Sequence, residues 1–433
     1  MKILLLNYTD TGGGAAIATN RLLEGLRQQG INAVLGVVEK RTVNPTVVLL
    51  RKKSFFERYR FYCTIKLIYN KGKPYFEQLF NFMFRTSNPI LHSKNKKTLI
   101  DIEYINNSDY DLIHLHWINY NMISIEDIAK IKKPVVWTTH DSWVFCGAEH
   151  HPNVLENDDR FIQGYTRKNK PKTTQGPDIC RKTWARKKKS WKNSRFNFIS
   201  PSNFEKESIE KSALFRDIPN TCTVIPNIVP ENIFRPFDKM ILKELYQIPL
   251  EKKIIGFGTA DNITDKKALK GGHFLLDALK KIRDKSNFHL IIFGDINTSF
   301  SNEIEIPIFA TGFITNPNIL AGIYNLCDVF VCPSLIESFG LVCLESLFCG
   351  VPVTAFNTGG IPDIVEHKKT GYLAKCFDTE DLYNGILYCI DNYSELSENA
   401  LKKAHSEFNN DKIVRRHIEL YGSVLQRGVM YEY

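Results

Sequence analysis

The sequence predicts an α/β protein of two doubly wound domains. Three observations carry that prediction: short apolar runs alternate with helical patterns from the first residues, the alternation restarts near residue 253, and a proline-rich stretch separates the two series. KILLLN reads as a strand, TGGGAA as a turn, Ile17 to Gln29 as a helix ending at Gly30, and NAVLGVV as a second strand. Such a β-α-β unit requires a parallel sheet with helices on its faces. DLIHLHW, PVVWTTH and FNFISP are further strands, each β-branched or aromatic and bounded by turn residues. In the second series KIIGFG, HLIIFGD, DVFVCPS and VPVTAF are strands, while LKGGHFLLDALKKI and GLVCLESLFCG are helices. Between the series, TVIPNIVPENIFRPF has three prolines and no periodicity, and reads as a linker or hinge. Ligands of doubly wound sheets bind at the carboxyl ends of the strands, so a cleft between two such domains is the expected site.

A chain of 433 residues with 43% hydrophobic and 24% charged residues is long enough for two filled cores and excludes disorder. Its ten cysteines form no C-x-x-C pair, which argues for buried free thiols in a reducing compartment. The apolar run of MKILLLNYTDTGGG is too short for a signal peptide, and no stretch of about 18 apolar residues occurs. The expectation is a cytoplasmic protein, or one on the cytosolic face of a membrane.

The net charge of +10 is local: Arg51–Arg85 and Thr166–Arg195 together carry +18. In the first segment Phe55, Tyr59, Tyr62, Ile65 and Tyr69 recur at helical spacing, and a basic helix with an aromatic face suits an anionic bilayer. The plainer reading is an amphipathic helix packed on its own domain. The second segment sets Trp184 and Trp191 two helical turns apart among lysines and arginines. Clustered cations also track phosphates, which raises nucleic acid as a partner, but no nucleic-acid motif accompanies them.

Gly12, Gly13 and Gly14 follow a strand and precede a helix, where free N–H groups and close approach favour a phosphate. A bare tight turn is the alternative, for the spacing is neither G-x-G-x-x-G nor a Walker loop. The richest segment is ESFGLVCLESLFCGVPVTAFNTGGIPDIVEHKKTGYLA. Glu337 lies just before a helix opening at Phe339-Gly340, and Glu345 follows eight positions later, about 12 Å along a helix. Two carboxylates so spaced suit hydrogen bonds to hydroxyls at both ends of one elongated ligand, with helix N–H groups on a diphosphate between them. Thr358, Gly359, Gly360 and Ile361 make a second loop expected to close over the ligand.

This segment resembles the signature of family 4 of the retaining glycosyltransferases, which share the GT-B fold: Glu337, Glu345, Gly350, Pro352, Gly359, Gly360 and Asp363 match it. The likeness continues through the triglycine loop, DLIHLHW, VVWTTHDSW, FISPSNF, VIPNIV and LKGG, and HDSWVFCGAEHH resembles bacterial members acting in surface-polysaccharide assembly. The resemblance implies an N-terminal acceptor domain over 1–220 with a helix at about 408–433 packing back on it. A hinge at 221–240 and a nucleotide-sugar domain over 241–407 follow. It implies catalytic roles for Glu337 on a donor-sugar hydroxyl, His140 near the reacting sugar and Lys270 on the leaving diphosphate. Donor binding falls to Gly13, Gly14, Thr259, Ser338, Phe339, Gly340 and Leu341, with Glu345 on the ribose. Thr259 stands where the family often places an arginine, leaving more of the diphosphate to Lys270.

No metal or cofactor is implied; Asp109-Tyr110-Asp111 reads as a solvated strand start, and His114, His116, His150 and His151 lack a carboxylate to complete a ligand set. The activity implied is retaining transfer of a sugar from a UDP- or GDP-sugar to a glycan acceptor, lipid-linked, with the basic segments on the membrane. A sugar-nucleotide epimerase of the same fold and a basic nucleic-acid-binding protein are the two rivals.

Overall fold

The computed structural model describes residues 1–51, 90–172, 174, 176–259, 261–294 and 300–430, with side chains as far as Arg427. The aromatic-basic helix expected within Arg51–Arg85 lies almost wholly outside the described residues. The chain divides into two compact units. One comprises Met1–Ile199, Lys206–Thr223 and Glu419–Tyr433, the other Ser200–Glu205 and Val224–Ile418.

The N-terminal unit is built on β1 (Lys2–Leu6), β2 (Asn32–Val37), β3 (Val47–Leu49), β4 (Leu112–Leu115), β5 (Val135–Thr138), β6 (Phe196–Ser200) and β7 (Asn220–Val224), in spatial order β3-β2-β1-β4-β5-β6-β7. The second unit has β8 (Lys253–Thr259), β9 (Phe288–Gly294), β10 (Ile308–Gly312), β11 (Val329–Cys332), β12 (Val353–Phe356) and β13 (Gly371–Ala374), in order β10-β9-β8-β11-β12-β13. β1 pairs in parallel with both β2 and β4, and β8 with both β9 and β11. In each sheet the first strand is therefore where the winding reverses, and the crevice that a ligand enters opens beside its carboxyl end.

Helix α1 (Gly14–Gln28) begins three residues earlier than its apolar period suggested, because Gly13 adopts a left-handed φ of 83° and caps it. The other helices that matter are α2 (Ile179–Ser190), α3 (Asn203–Lys211), α4 (Gly272–Leu279), α5 (Pro317–Leu326), α6 (Leu341–Phe348) and α7 (Asn410–Met430). One core gathers Leu4, Ile113, Trp137, Trp143, Trp191 and Phe198, and the other Ile255, Leu275, Ile292, Val331, Phe356 and Ile386.

Several expectations need correction. The stretch from Thr223 to Phe237 is not a free linker: its first residues finish β7, and Ile225, Val229 and Phe234 are buried. Strands β3, β7, β10 and β13 lack the apolar alternation that reveals a strand, and all four lie at sheet edges where one side needs no strand partner. From Glu419 onward α7 belongs to the N-terminal unit, where Tyr421 Oη bonds His114 Nδ1 at 2.8 Å.

Trp184 and Trp191 do not share the exposed basic face. Trp191 is fully buried, as is Lys187, whose Nζ donates to the carbonyls of Trp143, Cys146 (3.1 Å) and Gly147 (2.8 Å) and lies 3.7 Å over the Trp143 ring. Burial pulls that ammonium down to about 7, against the opposing pull of neighbouring acidic groups. The cysteines follow expectation: the nine described are free thiols, seven of them buried. Among the described residues no helix is long and apolar enough to cross a membrane.

Candidate functional site

Sheet topology puts the loops after β8 and β11 at the reversal point of the second unit, and these loops hold Lys270 and Glu337. The first loop turns at Gly271 in the left-handed region, φ 65°, so close to β11 that a Cβ there would lie 1.9 Å from the Pro333 carbonyl oxygen. Leu335 N donates to Leu269 O at 2.8 Å and locks the two loops side by side. The consequence is an ion pair: Lys270 Nζ meets Glu337 Oε1 at 2.5 Å, and Ser334 Oγ donates to the same oxygen at 2.8 Å. Burial works against the Lys270 charge, but Glu337 more than offsets it and the ammonium's pKa is raised. A fixed cation thus stands beside a carboxylate at the mouth of the crevice.

The residues after Glu337 lead into α6. Gly340 caps it with φ 100°, and Leu341 is its first residue. First-turn amides have no intrahelical acceptor, so this end presents N–H donors and the positive pole of the dipole. Phe339 is buried with its ring 6.3 Å from that of Phe408, so its side chain packs into the unit and only its backbone is left to face a ligand. Ser338 is also turned inward: its Oγ donates to Glu205 Oε1 at 2.9 Å, and its carbonyl accepts from Ser202 Oγ at 2.6 Å.

Glu345 does lie on α6, 4% exposed, accepting from Tyr324 Oη of α5 at 3.1 Å. The spacing of the two glutamates is not purely helical, however. The helix opens at Leu341, so only four of the eight steps rise at 1.5 Å and the rest is loop. Thr259 ends β8 with its hydroxyl committed to a turn, accepting from Asp261 N at 2.9 Å and donating to Asp261 O at 3.1 Å.

The Thr358–Ile361 loop is a buttress rather than a lid. Gly360 N donates to Glu337 O at 2.8 Å, Thr358 Oγ1 to Leu335 O at 3.0 Å, and Gly359 has φ 55° with the Glu337 carbonyl where a Cβ would be. Asp363 beyond it accepts from Asn203 N at 2.6 Å and Asn203 Nδ2 at 3.2 Å. Ser202, Asn203, Glu205 and Ser334 are thus supports that motif spacing did not single out, although FISPSNF contains the first two.

In the N-terminal unit the triglycine loop follows β1 and His140 follows β5, both at carboxyl ends of the sheet. Gly13 and Gly14 sit at the start of α1, and nothing lies within 4 Å of a Cβ built on Gly13, so room remains for a ligand atom there. The loop is held by Asp10, which accepts from Arg41 N (2.8 Å), Thr42 N (2.9 Å) and Thr42 Oγ1 (2.6 Å). His140 Nε2 and His116 Nδ1 are 2.9 Å apart with nearly parallel rings, so one donates and the other accepts. Burial brings the His140 pKa down to about 4 although Asp141 pulls it upward, and the ring is neutral at pH 7. It is therefore available for hydrogen bonds and not as a cation. Asp141 holds the surroundings in place, accepting from Trp117 Nε1 at 2.8 Å and meeting His150 Nδ1 at 2.6 Å. Asp109 and Asp111 face the other end of the sheet, paired with Lys2 Nζ (2.5 Å) and Lys2 N (2.7 Å). They stand at the strand start that the sequence suggested.

Residues 256–392 match the family model described as glycosyl transferases group 1. The N-acetyl-alpha-D-glucosaminyl L-malate synthase of Bacillus anthracis is 27% identical over 210 residues, 46% of this chain and 53% of that protein. The chain thus spans about half the length of this curated relative. Two solved structures share the fold across 98% and 97% of this chain and nearly all of theirs. Anabaena HepE in complex with UDP-glucose has a TM-score of 0.64 at 16% identity. WaaG, a glycosyltransferase involved in lipopolysaccharide biosynthesis, has a TM-score of 0.61 at 13% identity.

Proposed function

The chain has the GT-B fold and is related through its C-terminal unit to the group 1 glycosyltransferases, and from that premise we propose that it is a retaining glycosyltransferase. It takes a nucleotide sugar, a UDP- or GDP-sugar, and passes the sugar to a glycan acceptor, lipid-linked, in the assembly of a bacterial surface polysaccharide. The observation that carries this reading is the Lys270–Glu337 pair at the reversal point of the second sheet, next to the N-terminus of α6. A diphosphate needs fixed positive charge and N–H donors, and a sugar hydroxyl needs a carboxylate; the site offers both within one loop pair. Glu345, one turn into α6, takes the ribose hydroxyls.

In the step proposed, the bond between the sugar's anomeric carbon and the diphosphate breaks while the acceptor oxygen bonds that carbon on the same face. The acceptor proton passes to a leaving phosphate oxygen. Lys270 and the first amides of α6 stabilise the charge that develops there, so no metal is required for it. Neutral His140 is a hydrogen-bonding partner for the reacting sugar, with Gly13 and Gly14 giving it room.

A thermal-shift screen tests the donor assignment, since a ligand bound to the native state raises its stability by mass action. UDP- or GDP-sugars are expected to raise the midpoint, and Glu345→Gln to weaken that response about tenfold in concentration with the ligand-free midpoint kept. A shift from nucleic acid and none from any nucleotide sugar would remove the reading. Sugar epimerised without an acceptor would mark the protein as an epimerase.

The second basic segment supports a peripheral location on an anionic membrane. Lys182, Lys188, Lys189 and Lys192 are exposed although the tryptophans beside them are not free to insert. Each such residue near an anionic surface contributes about 1 kcal/mol. Changing Lys182, Lys188 and Lys189 to glutamine is expected to lower co-sedimentation with anionic vesicles about a hundredfold at low salt. Equal recovery of wild type and variant would confine the segment to a solvated surface.

A further inference from the structure

One cluster of the N-terminal unit, buried at two of its three members, has no place in the transfer reaction. We propose that His92, Glu149 and Cys180 bind a zinc ion that braces this unit. One ligand atom from each of the three lies within 4.8 Å of the others. The three come from segments that the fold fixes firmly. His92 and Glu149 face each other across an antiparallel bridge, with Ser93 N donating to Ala148 O (2.7 Å) and His150 N to Leu91 O (3.0 Å). Cys180 sits in the first turn of α2, which Asp178 caps.

The atoms offered are those a metal needs. His92 Nδ1 is 2.6 Å from the Ile90 carbonyl, which can only accept, so the proton is on Nδ1 and Nε2 keeps its lone pair. A backbone carbonyl in this position is how metal-bound imidazoles are commonly oriented. Glu149 is 0% exposed; its Oε2 is buried with no oxygen or nitrogen donor, and the weak thiol donor of Cys180 is the carboxylate's hydrogen-bonding neighbour there. Its Oε1 accepts from Tyr165 Oη and lies 3.9 Å from Arg160 Nη2. A buried carboxylate oxygen matched only by a weak thiol donor is costly, and a bound cation that displaces the thiol proton removes that cost.

Charge points the same way. Arg160 is already held by Asp158 through Nε (3.0 and 3.1 Å) and Nη2 (2.8 Å), with Asp178 at 3.5 Å. Three carboxylates that are 0 to 7% exposed therefore share one guanidinium, with the Lys187 ammonium the further cation influenced by Glu149. A dication with the Cys180 thiolate restores neutrality. Nitrogen, oxygen and sulfur in one set favour zinc over magnesium or calcium; tetrahedral binding at about 2.0–2.3 Å asks the three ligands to close by about 1 Å and leaves the fourth position to a water molecule.

The full chain, purified without chelator, is expected to carry about one zinc per molecule by elemental analysis. Cys180→Ser and Glu149→Gln are expected to bring this to background, while Cys376→Ser leaves it unchanged. Cobalt added to the metal-stripped wild type should produce a thiolate charge-transfer band that Cys180→Ser lacks. Stripping should lower the thermal midpoint and zinc restore it. Metal-stripped wild type that binds neither zinc nor cobalt, or zinc retained in Cys180→Ser, overturns the proposal. If the Cys180 variant does not fold, the cobalt spectrum of the wild type decides the matter alone. None of these readouts uses sugar transfer, so they stand apart from the donor assignment.

Discussion

Replacing Lys270 with alanine is expected to slow sugar transfer by about 10²–10³-fold while the protein stays folded, the loss typical of removing one fixed donor to a developing anion. The side chain is 37% exposed and Glu337 only 14%, so the variant leaves a half-sheltered carboxylate with Ser334 still donating to it. A modest fall in stability follows, not unfolding. Glu337→Gln keeps the shape but removes the charge, and is expected to reduce turnover while nucleoside diphosphate binding persists. The two variants thus separate the roles: Lys270→Ala weakens diphosphate binding and turnover together, Glu337→Gln turnover alone.

A purely structural ion pair predicts something else. The exchanged pair, Lys270→Glu with Glu337→Lys, would then recover both stability and activity; here it is expected to recover stability at most. Turnover and calorimetric UDP binding decide the matter, and wild-type turnover in Lys270→Ala would remove the lysine from the mechanism. Transfer should also proceed in excess EDTA when it is followed before any loss of fold, because the positive field comes from the chain itself.

Much of this site was legible in the sequence because glycines mark where backbones touch. LKGG and NTGG announce tight loops, and the loops prove to be tight because a neighbouring carbonyl occupies the place of a Cβ. What spacing could not show is the direction in which a side chain turns. Ser338 and Phe339 lie between Glu337 and the helix, yet both point inward to Glu205 and Phe408. Likewise Trp191 and Lys187 sit in a basic run whose composition suggests a surface, but they fill the core. The cluster of His92, Glu149 and Cys180 was hidden for a different reason. Its members are 57 and 31 residues apart in the chain, and only the pairing of residues 91–93 with 148–150 brings the first two together.

Gly359→Ala is expected to damage both stability and turnover, and Gly312→Ala stability alone. Both glycines belong to the second unit and have positive φ, 55° and 68°, so an added methyl costs each about 1–2 kcal/mol of backbone strain. Their surroundings differ. Nothing lies within 4 Å of a Cβ on Gly312, whereas a Cβ on Gly359 would stand 2.0 Å from the Glu337 carbonyl oxygen and 2.9 Å from its nitrogen. Neither atom is the end of a flexible side chain, so the two loops must part. That movement stretches the Gly360 N to Glu337 O bond and carries the Glu337 carboxylate away from Lys270. A displacement of about 1 Å at a reacting centre is enough to cost about a hundredfold in rate. Measured at matched temperature, Gly312→Ala should lower the unfolding midpoint with turnover intact. Gly359→Ala should lower the midpoint further and lose turnover about a hundredfold. Equal turnover in the two variants would mean that the Gly359–Gly360 loop does not set the position of Glu337.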